Sequence, residues 1–404
     1  MALIVQKYGG SSVATAERIK AVAARVGKVF DGGDQVVVVV SAMGDTTDDL
    51  IKLAGQVTSD PHPREMDVLL STGELVASTL LTMAIRNLGY QAISLSGAQA
   101  GIKTDTTYRK ARIVKIETKR ILEELAEGQI VIVAGFQGIT DDMDVTTLGR
   151  GGSDTSAVAL AAALGAKICE RLTDTDGIYS ADPRVVPDAK RLDEIGYEEM
   201  LELATYGNKV MQPRAIELAE LYNIPIRVAS SFNDNPGTLI HGGVSMEVRN
   251  KVRSVAYDMD VAKISVVGIP DKPGIAASIF VPLAKAGISV DTIVQNSSVN
   301  KIADLTFTVT KDQINDAMKV AKPIAKKLGA SDIVSDTALG KVSIVGTGMQ
   351  NTPGFAAKMF DTLSREGINI ELISTSEIRI TCIIKESKVK EAVRALHKAF
   401  EVEV

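Results

Sequence analysis

The chain is poor in the residues that most often carry metal or nucleophilic chemistry. Its two cysteines, Cys169 and Cys382, sit in separate strand-like segments far apart in sequence, which reads as two reduced core thiols and not a disulfide framework. The three histidines, His62, His241 and His397, form no cluster with cysteine or carboxylate at metal-ligand spacing. Neither a zinc site nor a histidine-based triad is therefore expected. An excess of basic charge is also missing: the net charge of −5 argues against nucleic acid as the main partner. No run is read as long enough to span a membrane. Met1 to Val5 opens directly on a strand-like apolar run, so no signal or transit peptide is expected and the chain reads as cytoplasmic. Two nucleotide-binding signatures are absent as well. Without a G-x-x-x-x-G-K-[ST] sequence this is not a P-loop enzyme, and without G-x-G-x-x-G after the first strand a dinucleotide fold is disfavoured.

What is present is ordinary globular composition with strong patterning. At 404 residues, 45% apolar and 24% charged, the chain should hold two or three domains. Residues 1–245 alternate strand-like and helical stretches, the pattern of an α/β fold with a largely parallel central sheet covered by helices. Strands are expected at Leu3–Tyr8, Val36–Ser41, Ala92–Ser96, Ile130–Phe136, Ile168–Thr173 and Ile226–Ala229. Helices are expected at Ala14–Phe30, Glu74–Leu88, Arg109–Ala126, Ser156–Gly165 and Lys209–Leu221. The uninterrupted Val36–Val40 run suits a strand covered on both faces.

The most informative stretch is Leu148-Gly149-Arg150-Gly151-Gly152-Ser153-Asp154-Thr155-Ser156. It follows an apolar run and opens the Ala-rich stretch 157–165, giving strand, glycine loop and helix. Glycines let the backbone approach a ligand, and a helix start offers free N–H groups. Arg150 adds a donor fork for carboxylate or phosphate, and Ser153 or Asp154 could cap the helix. Similar polar loops follow the other strands: Lys7-Tyr8-Gly9-Gly10-Ser11-Ser12, Ser41 to Asp48, and Thr173-Asp174-Thr175-Asp176-Gly177. Ligands of open α/β sheets bind beyond the carboxyl ends of the strands, so these loops describe a phosphate and carboxylate site. Lys7 could reach over its turn to phosphoryl oxygens that the Gly9 and Gly10 amides also contact.

Five motifs in order carry a resemblance: Lys7 to Ser12, Ser71-Thr72-Gly73-Glu74, Gly149 to Asp154, Thr173 to Gly177, and Ala181-Asp182-Pro183-Arg184. Together they resemble the aspartate kinases of the amino acid kinase family, over essentially the whole chain. The resemblance implies that Lys7, Gly9 and Gly10 hold the ATP phosphates with Ser41 nearby. Thr47, Glu74, Arg150, Gly151, Gly152 and Ser153 would bind L-aspartate, Arg150 on a carboxylate and Glu74 near the amino group. Asp154 would organise the reacting end by positioning Lys7. Thr173, Asp174, Tyr179, Asp182, Arg184 and Lys209 would line the nucleotide. Tyr8 and Ser11 replace the family's usual Phe and Thr, and Leu172 and Thr175 depart from its usual Tyr-Thr-Asp-Val-Asp-Gly. Mg²⁺ would ride on the ATP phosphates without a protein metal site. Family relatives acting on glutamate, N-acetylglutamate, carbamate or UMP are the nearest alternatives, and an inactive amino-acid sensor is another.

The last third is an internal repeat after an expected linker at 246–262. Lys263 to Gly268 matches Lys341 to Gly346, Pro273 to Ala277 matches Pro353 to Ala357, and Ala286 to Val290 matches Glu366 to Ile370. Each copy, 263–337 and 338–404, reads strand, turn, helix, strand, strand, helix, with a sheet edge left to pair. The repeat resembles the α+β, ferredoxin-like ACT domain. That resemblance implies an effector site where Asp271, Gly274, Ile275, Ala276 and Gln295 of one copy meet Asn369 and Ile370 of the other. Lysine, threonine or both would be the effectors, and a homo-oligomer (dimer or tetramer) would form through the repeats. Some relatives also make this part as a separate subunit from an internal start; Met246 and Met259 lie just before the repeat.

Overall fold

The computed structural model describes residues 2–243, 252–297, 301–350 and 352–402. They form two compact units, one of 2–179, 191–205 and 209–243, the other of 180–190, 206–208 and 252–402. Two short segments of the expected first domain thus belong to the second unit. The expected boundary at 245, Met246 and the start of the linker, 246–251, lie outside the described residues.

The first unit begins β1 (Leu3–Tyr8), α1 (Ala16–Asp31), β2 (Gln35–Val40), α2 (Thr46–Val57), α3 (Pro63–Asn87) and β3 (Ala92–Leu95). It continues through β4 (Ile102–Thr104), β5 (Ile113–Ile116), α4 (Lys119–Ala126), β6 (Ile130–Ala134), β7 (Gln137–Ile139), β8 (Val145–Thr147) and α5 (Gly152–Leu164). Then come β9 (Ile168–Thr173), β10 (Glu194–Ile195), α6 (Tyr197–Thr205), α7 (Pro213–Tyr222), β11 (Ile226–Ser230) and β12 (Thr238–Ile240). The main sheet has the order β10-β12-β11-β9-β1-β2-β6-β3, and its strands from β11 to β3 run parallel. The valines of β2 show why it lies centrally. Val36, Val38 and Val40 enter a core with residues of α1 and α3, while Val37 and Val39 point to the opposite face, where α5 packs.

Three expectations are corrected here. The helix expected over 109–126 is β5 followed by α4, because β-branched Ile113, Val114 and Ile116 favour a strand, which pairs with β4. The helix expected from Glu74 starts at Pro63, with proline at its first turn, so Glu74 is an interior residue. At 25 residues α3 is also long and apolar enough to cross a membrane by length and composition, against the sequence reading. It packs as a core helix, with Asp67, Ser71, Glu74 and Ser78 among its buried residues.

The second unit contains β13 (Ser254–Pro270), α8 (Ile275–Lys285), β14 (Ile293–Ser297), β15 (Ile302–Val309), α9 (Ile314–Leu328) and β16 (Asp332–Val345). It ends with α10 (Phe355–Arg365), β17 (Ile370–Thr375), β18 (Arg379–Lys385) and α11 (Val389–Ala399). All six strands form one antiparallel sheet, β14-β15-β13-β16-β18-β17. The two long central strands serve both repeats. Residues 263–267 of β13 pair with 332–336 of β16 inside the first repeat, and 254–258 pair with 341–345 inside the second. Residues 254–262, expected as linker, are therefore strand. Their alternation explains it: Val255, Tyr257 and Met259 pack in the core of the second repeat. The inserted segment 180–190 joins the same core through Ala181, Val185 and Val186, and Ser180 Oγ lies 2.9 Å from Nε2 of buried His397. The other insert places the Tyr206 ring 3.7 Å from the Arg379 guanidinium.

Candidate active site

Parallel pairing puts the carboxyl ends of β9, β1, β2 and β6 side by side in the first unit. Lys7 stands opposite Val39 on one neighbour and Arg171 on the other, so both cations share the face covered by α5. Backbone hydrogen bonds then stitch the loops beyond the strands: Gly9 N to Leu172 O, Ser41 N to Tyr8 O, Gly44 N to Gly10 O and Gly135 N to Val40 O, each 3.0–3.1 Å. Gly10 has to be glycine because a Cβ there would sit 2.8 Å from Ala42 O.

The glycine loop delivers Asp154 to these cations. Gly151 takes φ 68° just before α5, and a Cβ there would run into the Gln212 side chain. Contrary to expectation, neither Ser153 nor Asp154 caps the helix; Gly151 occupies the cap position without a side-chain bond. Asp154 lies in the first turn, and its Oδ1 is 2.6 Å from Lys7 Nζ. Its Oδ2 accepts a 3.2 Å hydrogen bond from Arg171 Nε. Lys7 and Asp154 are each 5% exposed, so this is a buried cluster. Burial lowers the pKa of Lys7, with Asp154 opposing. Burial also works to raise that of Asp154, but Arg171 and Lys7 outweigh it and hold the carboxyl below its usual range.

Glu74 is the second buried acid. Ala42 N donates to its Oε1 at 3.1 Å, and Oε2 is buried with no hydrogen-bond partner among the described residues. Desolvation pushes its pKa up to about 7, against the pull of the Ala42 N–H and of Lys7. The approach of α3 to this loop needs Gly73, since a Cβ there would lie 2.8 Å from that of Ala42. Thr47 stands in the first turn of α2, and Arg150 is exposed on the glycine loop. Ser153 is buried against Gly135.

Two residues that sequence reasoning missed organise this site. Arg171 is the partner of Asp154; a charged Glu170-Arg171 pair inside a strand was the available signal. Asp67, fully buried on α3, accepts from Arg109 N, Thr147 N (2.8 Å) and Thr147 Oγ1 (2.8 Å), fixing the strand that leads into the Arg150 loop. Nothing in its local sequence sets it apart from a surface carboxylate.

The other expected residues divide by unit. Thr173, Asp174, Tyr179 and Lys209 belong to the first unit, where Thr173 Oγ1 donates to Asp174 Oδ1 at 3.1 Å. Asp182 and Arg184 belong to the second, paired with each other at 2.9 Å, with Tyr257 OH donating to Asp182 at 3.0 Å. Among the effector candidates, Gln295 Nε2 donates to Asp271 Oδ1 at 3.4 Å. Gly274 takes φ 93° at the start of α8, next to partly buried Ala276, while the Ile275 side chain enters the repeat's core. Asn369 directly precedes β17, in which Glu371 accepts from Lys263 Nζ at 2.9 Å. Among the described residues no hydrogen bond joins Asn369 or Ile370 to the Asp271 group; β14 and β17 are opposite edges of the sheet.

Comparison with known proteins agrees with this layout. The model of the amino acid kinase family matches residues 2–230, and that of the ACT domain matches 264–322 and 342–400. The chain is 50% identical to an aspartate kinase of Stutzerimonas stutzeri over 404 residues, covering 100% of this chain and 98% of that one. E. coli aspartokinase III in complex with aspartate and ADP (R-state) superposes with a TM-score of 0.84 at 26% identity, covering 99% of this chain and 100% of that one. The same enzyme in complex with lysine and aspartate (T-state) gives 0.76 at 25% identity, covering 98% and 99%.

Asp67→Ala should strand three donor groups, two of them on buried Thr147, and cost about 3 kcal/mol in urea denaturation. By loosening the Arg150 loop it should also lower kcat roughly tenfold. Unchanged stability would mean that Asp67 does not hold the loop.

Proposed function

The chain belongs to the amino acid kinase family, and from that premise we propose that it is an ATP-dependent kinase of L-aspartate, forming 4-phospho-L-aspartate and ADP. The observation that carries the reading is the buried Glu74 carboxylate, whose unpartnered Oε2 is suited to a substrate ammonium close to a buried lysine. In this reading Glu74 takes the ammonium, and Arg150 with Thr47, Ser153 and the Gly151 and Gly152 amides takes carboxylate. Lys7 and the Gly9 and Gly10 amides hold phosphate oxygens, and Ser41, Thr173, Asp174, Tyr179 and Lys209 line the nucleotide.

The acceptor carboxylate is already ionised near neutral pH, so no histidine or cysteine base is needed. One of its oxygens bonds to the γ-phosphorus while the bond to the β,γ-bridging oxygen breaks and that electron pair leaves with ADP. The protein's task is to bring two anions together and stabilise the charge between them. Both Asp154 oxygens face cations, so the donor set around it suits phosphate. Mg²⁺ would be carried on the ATP phosphates and would supply further charge neutralisation there.

The proposal extends to regulation and context. The reaction would be the first step of lysine, threonine and methionine biosynthesis in the cytoplasm, with feedback by lysine, threonine or both at the ACT repeats. Segments 180–190 and 206–208, built into the unit with those repeats, adjoin Tyr179 and Lys209 in the chain, which supports a route from effector to nucleotide. Exposed edge strands β14 and β17 support assembly with a second copy, as a dimer or tetramer, or with a separate C-terminal subunit.

Aspartate-dependent ADP release, with the acyl phosphate trapped as a hydroxamate, is the direct test. Turnover with another acid but not with aspartate would overturn the acceptor; repeating the assay with lysine and threonine reads the regulation. A second expectation concerns pH. Ionised Glu74 should bind the ammonium and the neutral acid should not, so the KM for aspartate should fall about tenfold from about pH 6 to about pH 8. On stability the sign is reversed: the free protein favours the neutral acid and loses that contribution as pH rises through about 7. Glu74→Gln should raise the KM and flatten its pH dependence across this window. A wild-type KM that stays level there would contradict the role given to Glu74.

A further inference from the structure

Arg171 lies in β9 beside Lys7, on the face where its neighbours Cys169 and Val39 are 1% and 0% exposed. Its Nε donates to Asp154 Oδ2 at 3.2 Å, and its NH1 is buried without a hydrogen-bond partner among the described residues. Stability alone does not account for it. Asp154 already has Lys7 at 2.6 Å, and burying a second cation with a donor left unsatisfied costs more than an apolar side chain there would. Arg171 helps to keep Asp154 ionised, but the stranded NH1 is a cost that this return does not explain, and it points to function.

Charge supplies the function. Lys7 and Asp154 alone would form a neutral buried pair, with little to offer an incoming phosphate. Two cations sharing one carboxylate leave a net positive cluster, and the Asp154 oxygen taken by Arg171 is withdrawn from Lys7. We infer that Arg171 is a positioning residue for phosphoryl transfer, acting through Asp154 to keep the cluster around Lys7 positive toward the ATP phosphates. The inference rests on the reading of this edge as the phosphate site.

The test is calorimetric affinity for Mg-ATP without aspartate, using the full chain and two variants. Arg171→Met should weaken Mg-ATP at least about fivefold, while Arg171→Lys, which keeps the charge, should stay within about twofold of wild type. The KM for aspartate should move less than about twofold in both, because the acceptor's contacts lie elsewhere. An Arg171→Met affinity within about twofold of wild type overturns the inference. So does a folded Arg171→Lys that loses about tenfold, since a purely structural role would not be rescued by charge. If Arg171→Met does not fold, Arg171→Lys alone decides on that criterion. Wild-type protein that binds Mg-ATP but yields no hydroxamate with aspartate would refute the acceptor and leave these ratios to judge Arg171.

Discussion

A carboxylate held between two cations, in a place nearly closed to water, is the constraint on which the site depends. Asp154 is held below its usual range there because Lys7 and Arg171 stand on adjacent parallel strands with their side chains on one face. That juxtaposition requires the parallel register of β1 and β9. The register in turn requires the helical crossovers that cover both faces of the sheet. The glycines at 151 and 152 matter because they let α5 begin where its first turn reaches those cations.

Glu74 solves a different problem by the same means. Its burial raises its pKa to about 7 when empty, and a bound ammonium would make the ionised form favourable. One acid is thus held charged by permanent partners and the other waits for a partner to arrive. Two carboxylates with opposite environments can in this way serve as scaffold and receptor within one loop cluster.

Much of this was legible in the sequence, and the reasons differ by residue. The unbroken Val36–Val40 run announced a doubly covered strand, and the glycine loop before an Ala-rich helix announced where Asp154 would stand. The repeat was visible as matched strand, turn and helix segments. Long-range pairing was not visible. The tie from Arg171 to Asp154 spans 17 positions, and that from Asp67 to Thr147 spans 80, so local pattern cannot report either. The early start of α3 was hidden because the Ser-Thr-Gly-Glu stretch reads as a boundary, whereas Ser71 and Glu74 are buried on a helix face. Residues 254–258 looked like linker because their partner strand comes 83 to 91 residues later, at 341–345. The second repeat is completed by a strand that precedes the first, a topology no repeat alignment displays.

The most direct test of the central claim separates binding from chemistry in Asp154→Asn. With its two cations unopposed, the site should bind Mg-ATP at least as tightly as wild type. Single-turnover phosphoryl transfer to aspartate, measured by rapid quench, should slow by about a hundredfold because Lys7 is no longer held in place. Transfer at the wild-type rate with ATP bound would contradict the account, since the shared carboxylate would then organise nothing.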